Sequence, residues 1–211
     1  MTEPRLDRER DLDRFLTFVD AVVAIAITLL ILPLADVAGE ATNGHVGDLL
    51  RDNESQLLGF GLSFVVIAQL WFTQHRLVSR VVVQDPVMAR LMVAWTFTIV
   101  LLPFPTALVA QAGTDPVTKV FYIGTMAVSS ALLGGMAWVI GHNRAIRDTD
   151  DRPDATPSVA TVLGFALALA ISLAFPGTSY YPLLLLLLTG PATRLLRRAR
   201  GGVRPRTHMG E

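Results

Sequence analysis

The chain has no cysteine and few charged residues for its length. Asp, Glu, Lys and Arg make up 17% of its 211 residues, against about a quarter in an ordinary soluble domain. The lack of cysteine excludes disulfides and thiolate metal sites. The formal net charge is zero, which gives no reason to expect a nucleic-acid partner. The chain is instead rich in apolar residues, with 52% hydrophobic residues and a mean hydropathy of +0.48.

These apolar residues are collected into six stretches that approach the length of a membrane-spanning helix, about 20 mostly apolar residues. The stretches lie at about 14–35, 56–76, 88–112, 118–141, 157–175 and 179–197. The sequence therefore predicts an all-α integral membrane protein with six transmembrane helices. These form one domain, residues 1–200, followed by a disordered tail, residues 201–211. The third stretch carries Pro103 and Pro105, which predict a kink.

The basic residues indicate how the spans are oriented. Of the eighteen Lys and Arg residues, only Arg51 and Lys119 fall on one side of a six-span arrangement, and the other sixteen fall on the opposite side. Cytoplasmic segments carry the excess of Lys and Arg, so both termini are predicted to be cytoplasmic. A rival interpretation makes Ala21–Leu34 the core of a cleaved signal peptide, although the acidic residues before it argue against this.

Asp20 lies inside the first apolar stretch, where a carboxylate needs an explanation. It is about 9 Å deeper than Arg14 and about 240° around the helix from it. A charge at such depth usually faces the bundle and has a partner. Trp71 and His75, at the end of the second stretch, share one helix face and can both donate to a carboxylate. We therefore predict a polar cluster of Arg14, Asp20, Trp71 and His75, unless Asp20 only caps a helix start and His75 is only interfacial.

A ladder of aliphatic side chains follows Asp20 on a different part of the same helix. Ile25, Leu29 and Leu32 have the spacing i, i+4, i+7 and fall within about 60° of one another. Spacing by itself leaves open whether they face lipid, pack against another helix or line a pore.

Two motifs resemble those of a known family. Arg14, Phe18, Val19 and Asp20, with the following run AIAITLLIL, resemble the first-helix signature of the transmembrane protein 175 potassium channels. The segment WFTQHR, which begins at Trp71, is similar to that family's Trp and His. Val19 stands where the signature has serine, which removes one hydroxyl group from the predicted cluster.

The resemblance implies a moderately potassium-selective cation channel, a homotetramer with helix 1 of each subunit around the pore. It implies a hydrophobic constriction at Ile25, continued by Leu29 and Leu32, with Thr28 offering a hydroxyl group. Permeant K⁺ would pass near Ile25, Thr28 and Leu29, with no fixed metal and no cofactor. The structural cluster joining helices 1 and 2 would consist of Arg14, Phe18, Asp20, Trp71 and His75.

The sequence contains no TVGYG segment, so selectivity by that type of carbonyl ring is excluded. Permeation by Na⁺, Cs⁺ or H⁺ is left open. The expected location is the plasma membrane of a prokaryote, with the lipid bilayer as a further partner. A proton-coupled secondary transporter, with Asp20 and His75 as the relay, is the main alternative. We predict no enzyme, because the spans hold no paired carboxylates, no metal-spaced histidines and no activated nucleophile.

Overall fold

The computed structural model describes residues 3–39, 46–79, 81, 85–112, 115–143 and 146. Within them the chain forms seven α-helices: α1 Glu3–Leu29, α2 Leu32–Gly39, α3 Val46–Asp52, α4 Glu54–Val78, α5 Pro86–Leu101, α6 Pro103–Ala112 and α7 Pro116–His142.

Four segments of the described chain are long and apolar enough to cross a membrane. They are Arg10–Ala35, Glu54–Val78, Pro86–Val109 and Pro116–His142. These segments confirm the predicted all-α, multi-pass membrane architecture in its coarse form. The predicted fifth and sixth spans and the tail lie outside the described residues. The count of six spans, the side on which the termini lie and the tetramer therefore stay predictions.

Two of the long helices begin at the same Asp-Pro signal. Asp85 is the N-cap of α5, and its carboxylate accepts hydrogen bonds from the backbone N–H groups of Val87 and Met88 at 2.9 and 3.0 Å. Asp115 caps α7 and accepts from the backbone N–H of Thr118 at 3.0 Å. In each case proline occupies the first helical position, where its missing N–H costs no helical hydrogen bond.

Prolines in the interior of two of the spans divide each of these spans into a pair of helices. Pro33 cannot donate to the carbonyl of Leu29, and α1 ends at Leu29 while α2 begins at Leu32. Pro103 and Pro105 have the same effect in the third span, where α5 ends at Leu101 and α6 begins at Pro103. A proline in a helix interior removes one hydrogen bond and clashes with the carbonyl four residues earlier. The kink predicted in the third span is present, whereas the break before Pro33 was not predicted.

The four spans alternate in direction. Trp71, late in α4, bonds to Asp20 of α1, and Gln74 contacts Met92, early in α5. Ser63 and Tyr122, both early in their helices, bond to each other, so α4 and α7 run the same way. The core between the helices contains Trp95, which is fully buried. Its location excludes the interfacial role that tryptophans often have in membrane proteins.

The first apolar segment is a structural part of this bundle. Its buried side chains belong to the same core as those of α4, α5 and α7, and they are Leu12, Val19, Val23, Ala26 and Leu30. A helix that supplies so much of the shared core is an integral element of the fold. This packing argues against the signal-peptide interpretation of the same residues.

Candidate pore helix and its anchoring contacts

The first membrane segment has two faces that differ in burial. Val19, Val23, Ala26 and Leu30 are at most 2% exposed and pack into the bundle. The side chains at the other face are large, apolar and exposed: Phe18 61%, Ile25 59%, Leu29 40% and Leu32 55%. We call these four residues the outward stripe. The three ladder residues of the sequence therefore point away from the subunit's own core.

Next to this stripe, the hydroxyl group of Thr28 is already engaged within the helix. Thr28 Oγ1 donates to the carbonyl oxygen of Ile25 at 2.7 Å. The backbone is irregular just beyond, because the N–H groups of Leu30 and Ile31 bond three residues back, to Ile27 and Thr28, at 3.3 Å. Since the Thr28 hydroxyl has a single proton, its oxygen keeps its remaining lone-pair capacity for another partner.

Asp20 is held by the second span through one of the two partners predicted for it. Trp71 Nε1 donates to Asp20 Oδ1 at 2.8 Å, across a sequence separation of 51 residues. The rings of Trp71 and His75 lie 5.7 Å apart, with 35° between their planes. His75 therefore contacts the indole that bonds to Asp20. The described contacts include no hydrogen bond between His75 and Asp20. An N–H donor to a carboxylate forms one of the stronger kinds of hydrogen bond.

The other two residues of the predicted cluster lie elsewhere on α1. Arg14 is exposed, and the described part of the chain shows no ion pair to it. Phe18 belongs to the outward stripe. The structure thus brings Asp20, Trp71 and His75 together and separates Arg14 and Phe18 from them. The reason is helical geometry, because Arg14 lies about 120° and Phe18 about 160° around α1 from Asp20.

A second polar cluster lies near the opposite ends of α4 and α7, and sequence reasoning missed it. Ser63 Oγ is 2.7 Å from the Tyr122 hydroxyl and 3.0 Å from Thr106 Oγ1. Thr106 Oγ1 in turn donates to the carbonyl of Leu102 at 2.8 Å. Because each hydroxyl has one proton, the direction must be Tyr122 to Ser63, Ser63 to Thr106, and Thr106 to Leu102. We call Ser63, Thr106 and Tyr122 the hydroxyl chain.

The hydroxyl chain gave no signal in the sequence. Its three members belong to three different helices, and none of them has a charge or a periodic spacing that singles it out. The only hint is the position of Thr106 directly after Pro105, at the predicted kink of the third span. As for metals, no group of three or more His, Asp or Glu residues that could hold an ion occurs among the described residues.

Taken together, these features define a multi-pass α-helical membrane protein whose first span turns an apolar stripe away from its own bundle. Comparison with known proteins shows what the chain is similar to. Residues 14–103 match the family described as "Endosomal/lysosomal potassium channel TMEM175". A protein of Streptomyces collinus, described as a potassium channel, is 28% identical over 165 residues, which make up 76% of this chain and 77% of that protein.

A solved structure has the same fold. The crystal structure of a Chamaesiphon minutus homologue of the lysosomal potassium-selective channel TMEM175 matches with a TM-score of 0.71. The match is 21% identical in sequence and covers 87% of this chain and 98% of that one. The match to the TMEM175 family over residues 14–103 includes the motifs of α1 and α4, which predicted this resemblance. Because the family and these relatives are ion channels, the prediction that the chain is not an enzyme is confirmed.

Proposed function

We propose that this chain is a potassium channel in which α1 of each subunit lines a central pore. The observation that carries the proposal is the outward stripe. Ile25, Leu29 and Leu32 are exposed on the face that turns away from the subunit's core, and the family match includes α1. Such an exposed apolar face could contact a second copy of the chain or line a pore shared by several copies.

The constriction would be an apolar ring of Ile25 side chains. A narrow ring without oxygen ligands can lose its water and block ions, and it conducts when it widens and rewets. Passage then depends on how much hydration an ion must shed, a penalty that is smaller for K⁺ than for Na⁺. Such a ring favours potassium only moderately.

Thr28 is the residue in this region best suited to contact a permeant ion. Its proton is committed to the carbonyl of Ile25, so its hydroxyl oxygen is left to accept. Oxygen atoms are the ligands that replace the water around a potassium ion in a pore. We therefore place permeant K⁺ near Ile25, Thr28 and Leu29, without a permanently bound metal.

Asp20 would fix the rotation of α1 so that the stripe points at the pore. The bond from Trp71 to Asp20 ties α1 to α4 at one depth. A rotation of α1 about its axis would break this bond and turn Ile25 away from the axis. The relay of a transporter, the main alternative, would need a direct proton path between Asp20 and His75. The direct partner of Asp20 in the described contacts is instead the indole of Trp71, which does not gain or lose a proton near neutral pH.

The channel would be a homotetramer in the plasma membrane of a prokaryote, with both termini cytoplasmic. The distribution of Arg residues supports this orientation. The assembly of four is what the resemblance to the family implies. Permeation by Na⁺, Cs⁺ and H⁺ is a matter for measurement.

The test is current through the purified protein in liposomes under opposed K⁺ and Na⁺ gradients. We expect a reversal potential shifted towards that of potassium. Ile25→Asn should raise the current severalfold and weaken the selectivity, because its amide hydrates the constriction. Val93→Asn is the matched control, since Val93 is 57% exposed, close to the 59% of Ile25, and belongs to α5 and not to the proposed pore-lining helix.

The purified protein should also have the mass of four chains of 22.9 kDa each. Saturable, proton-coupled uptake in place of current would overturn the channel proposal. Equal effects of the Ile25 and Val93 substitutions would remove Ile25 from the constriction.

A further inference from the structure

The outward stripe continues beyond the apolar residues into the charged N-terminal part of α1. The helix is unbroken from Glu3 to Leu29, so one face can be followed along its whole length. At 100° per residue, Arg14 lies about 20° and Asp11 about 40° from the direction of Ile25. Both side chains are exposed, like the stripe itself. A pore lined by the stripe would therefore have Arg14 and Asp11 at its mouth, at the N-terminal end of α1.

From these positions we infer that Asp11 and Arg14 form two charge rings of opposite sign at that mouth of the pore, and that together they set the local concentration of cations. The inference rests on the proposed function, because it needs several copies of α1 around one axis. Asp11 attracts potassium to the mouth, and Arg14, one turn nearer the constriction, opposes it.

The described contacts leave both charges available for this role. No ion pair to Asp11 or to Arg14 occurs in the described part of the chain. The two are three residues apart and can approach each other across one helical turn. Such an approach would lower the net field but leave the direction of each substitution unchanged, because removal of either charge exposes the other.

Distance decides how the effect must depend on salt. Asp11 lies about 21 Å and Arg14 about 16 Å along the helix from Ile25, at 1.5 Å per residue. The screening length in water is about 30 Å at 0.01 M salt and about 3 Å at 1 M. The rings therefore act on ions near the constriction in dilute salt and lose their influence in concentrated salt. A change in protein structure has no reason to follow this dependence.

The chain offers a matched control on the same helix. Asp13 is also exposed, but it lies about 120° from the direction of Ile25. Asp11→Asn and Asp13→Asn remove the same charge, at nearly the same depth, from different faces. Only the first is expected to change the current.

The experiment is single-channel potassium conductance of the full chain in planar bilayers, in symmetrical KCl from about 0.01 M to about 1 M. Asp11→Asn should lower the conductance about twofold at the dilute end and leave it unchanged at the concentrated end. Arg14→Gln should raise the conductance at the dilute end, and Asp13→Asn should behave as the unmodified protein does. Asp11→Lys should exceed the effect of Asp11→Asn, which keeps the test independent of whether the Arg14 variant folds.

Two results would overturn the inference while the channel proposal stands. One is an Asp11→Asn protein whose conductance equals that of Asp13→Asn in dilute salt. The other is a loss of conductance that persists unchanged in concentrated salt. A potassium-dependent current that responds to Ile25→Asn establishes the channel separately in the same preparations. Absence of any current from the unmodified protein would overturn the proposed function and the inference together.

Discussion

At the scale of single residues, the bond between Trp71 and Asp20 explains why a carboxylate is tolerated inside a membrane segment. An intramembrane charge is costly unless it faces the bundle and finds a partner. Here the partner is an indole N–H at 2.8 Å, from a residue type that has only this one donor to give. The tryptophan thus compensates the carboxylate without adding a second charge.

Trp71→Phe should lower the free energy of unfolding by about 1–2 kcal/mol, because it leaves the carboxylate without this donor. It should also weaken potassium selectivity, because α1 loses its rotational anchor. Thermal unfolding in detergent and reversal potentials measure the two effects. Trp138→Phe is the control, since Trp138 is 60% exposed on α7 and its ring stacks only on His142 among the described residues. Equal destabilisation by both variants would contradict the anchor.

At the scale of helices, prolines determine where two of the spans break. At the break between α5 and α6, hydroxyl groups join the neighbouring helices. At the break between α5 and α6, Pro105 has no N–H to donate to the carbonyl of Leu101, whereas the carbonyl of Leu102 accepts the backbone N–H of Thr106 at 3.1 Å. The hydroxyl chain passes from Tyr122 through Ser63 and Thr106 to the carbonyl of Leu102. Through it, α4, α6 and α7 are joined at the kink. Since α6 also contacts α1, the hydroxyl chain supports α1 indirectly.

Removal of the Thr106 hydroxyl should therefore cost more than removal of a similar hydroxyl that bonds only within its own helix. Thr106→Val should destabilise the protein by about 1 kcal/mol, and Thr106→Ser should restore it. Thr96→Val is the control, because Thr96 is buried and its hydroxyl donates to the carbonyl of Met92 at 2.8 Å, the same local bond without a neighbour from another helix. Melting temperatures of the three proteins in one detergent give the comparison. A Thr96 variant as unstable as the Thr106 variant would refute the role of the interhelical bonds.

At the scale of the whole molecule, alternating spans place Arg10 and Asp48 at opposite ends of the bundle. The positive-inside rule puts the Arg10 end in the cytoplasm. The absence of native cysteine makes this testable with single introduced thiols. Both positions are exposed, so access is limited by the membrane alone.

We expect a membrane-impermeant maleimide to label Asp48→Cys in intact cells and to label Arg10→Cys only after the cells are permeabilised. The cysteine-free parent protein serves as the blank. The reverse labelling pattern would mean that the protein has the opposite orientation in the membrane. The Asp11 and Arg14 rings would then lie at the outer mouth of the pore.

Much of this architecture could be predicted because its causes are local in the chain. Long apolar runs imply membrane helices whatever they pack against, and Asp-Pro pairs start α5 and α7 by geometry within one turn. The motif around Asp20 and Trp71 pointed to the family for the same reason, since both halves are short and contiguous. The break before Pro33 had a local cause as well and could have been read from the proline.

The sequence by itself determined the helical membrane class and the helix face shared by Ile25, Leu29 and Leu32, because both follow from hydropathy and a fixed helical period. Only the tertiary structure decided that this face turns away from the core, that Trp71 and not His75 bonds to Asp20, and that Ser63, Thr106 and Tyr122 meet. These outcomes depend on how helices far apart in sequence rotate and cross. No period within one segment encodes that rotation, since it is set by the fit of side chains from several helices at once.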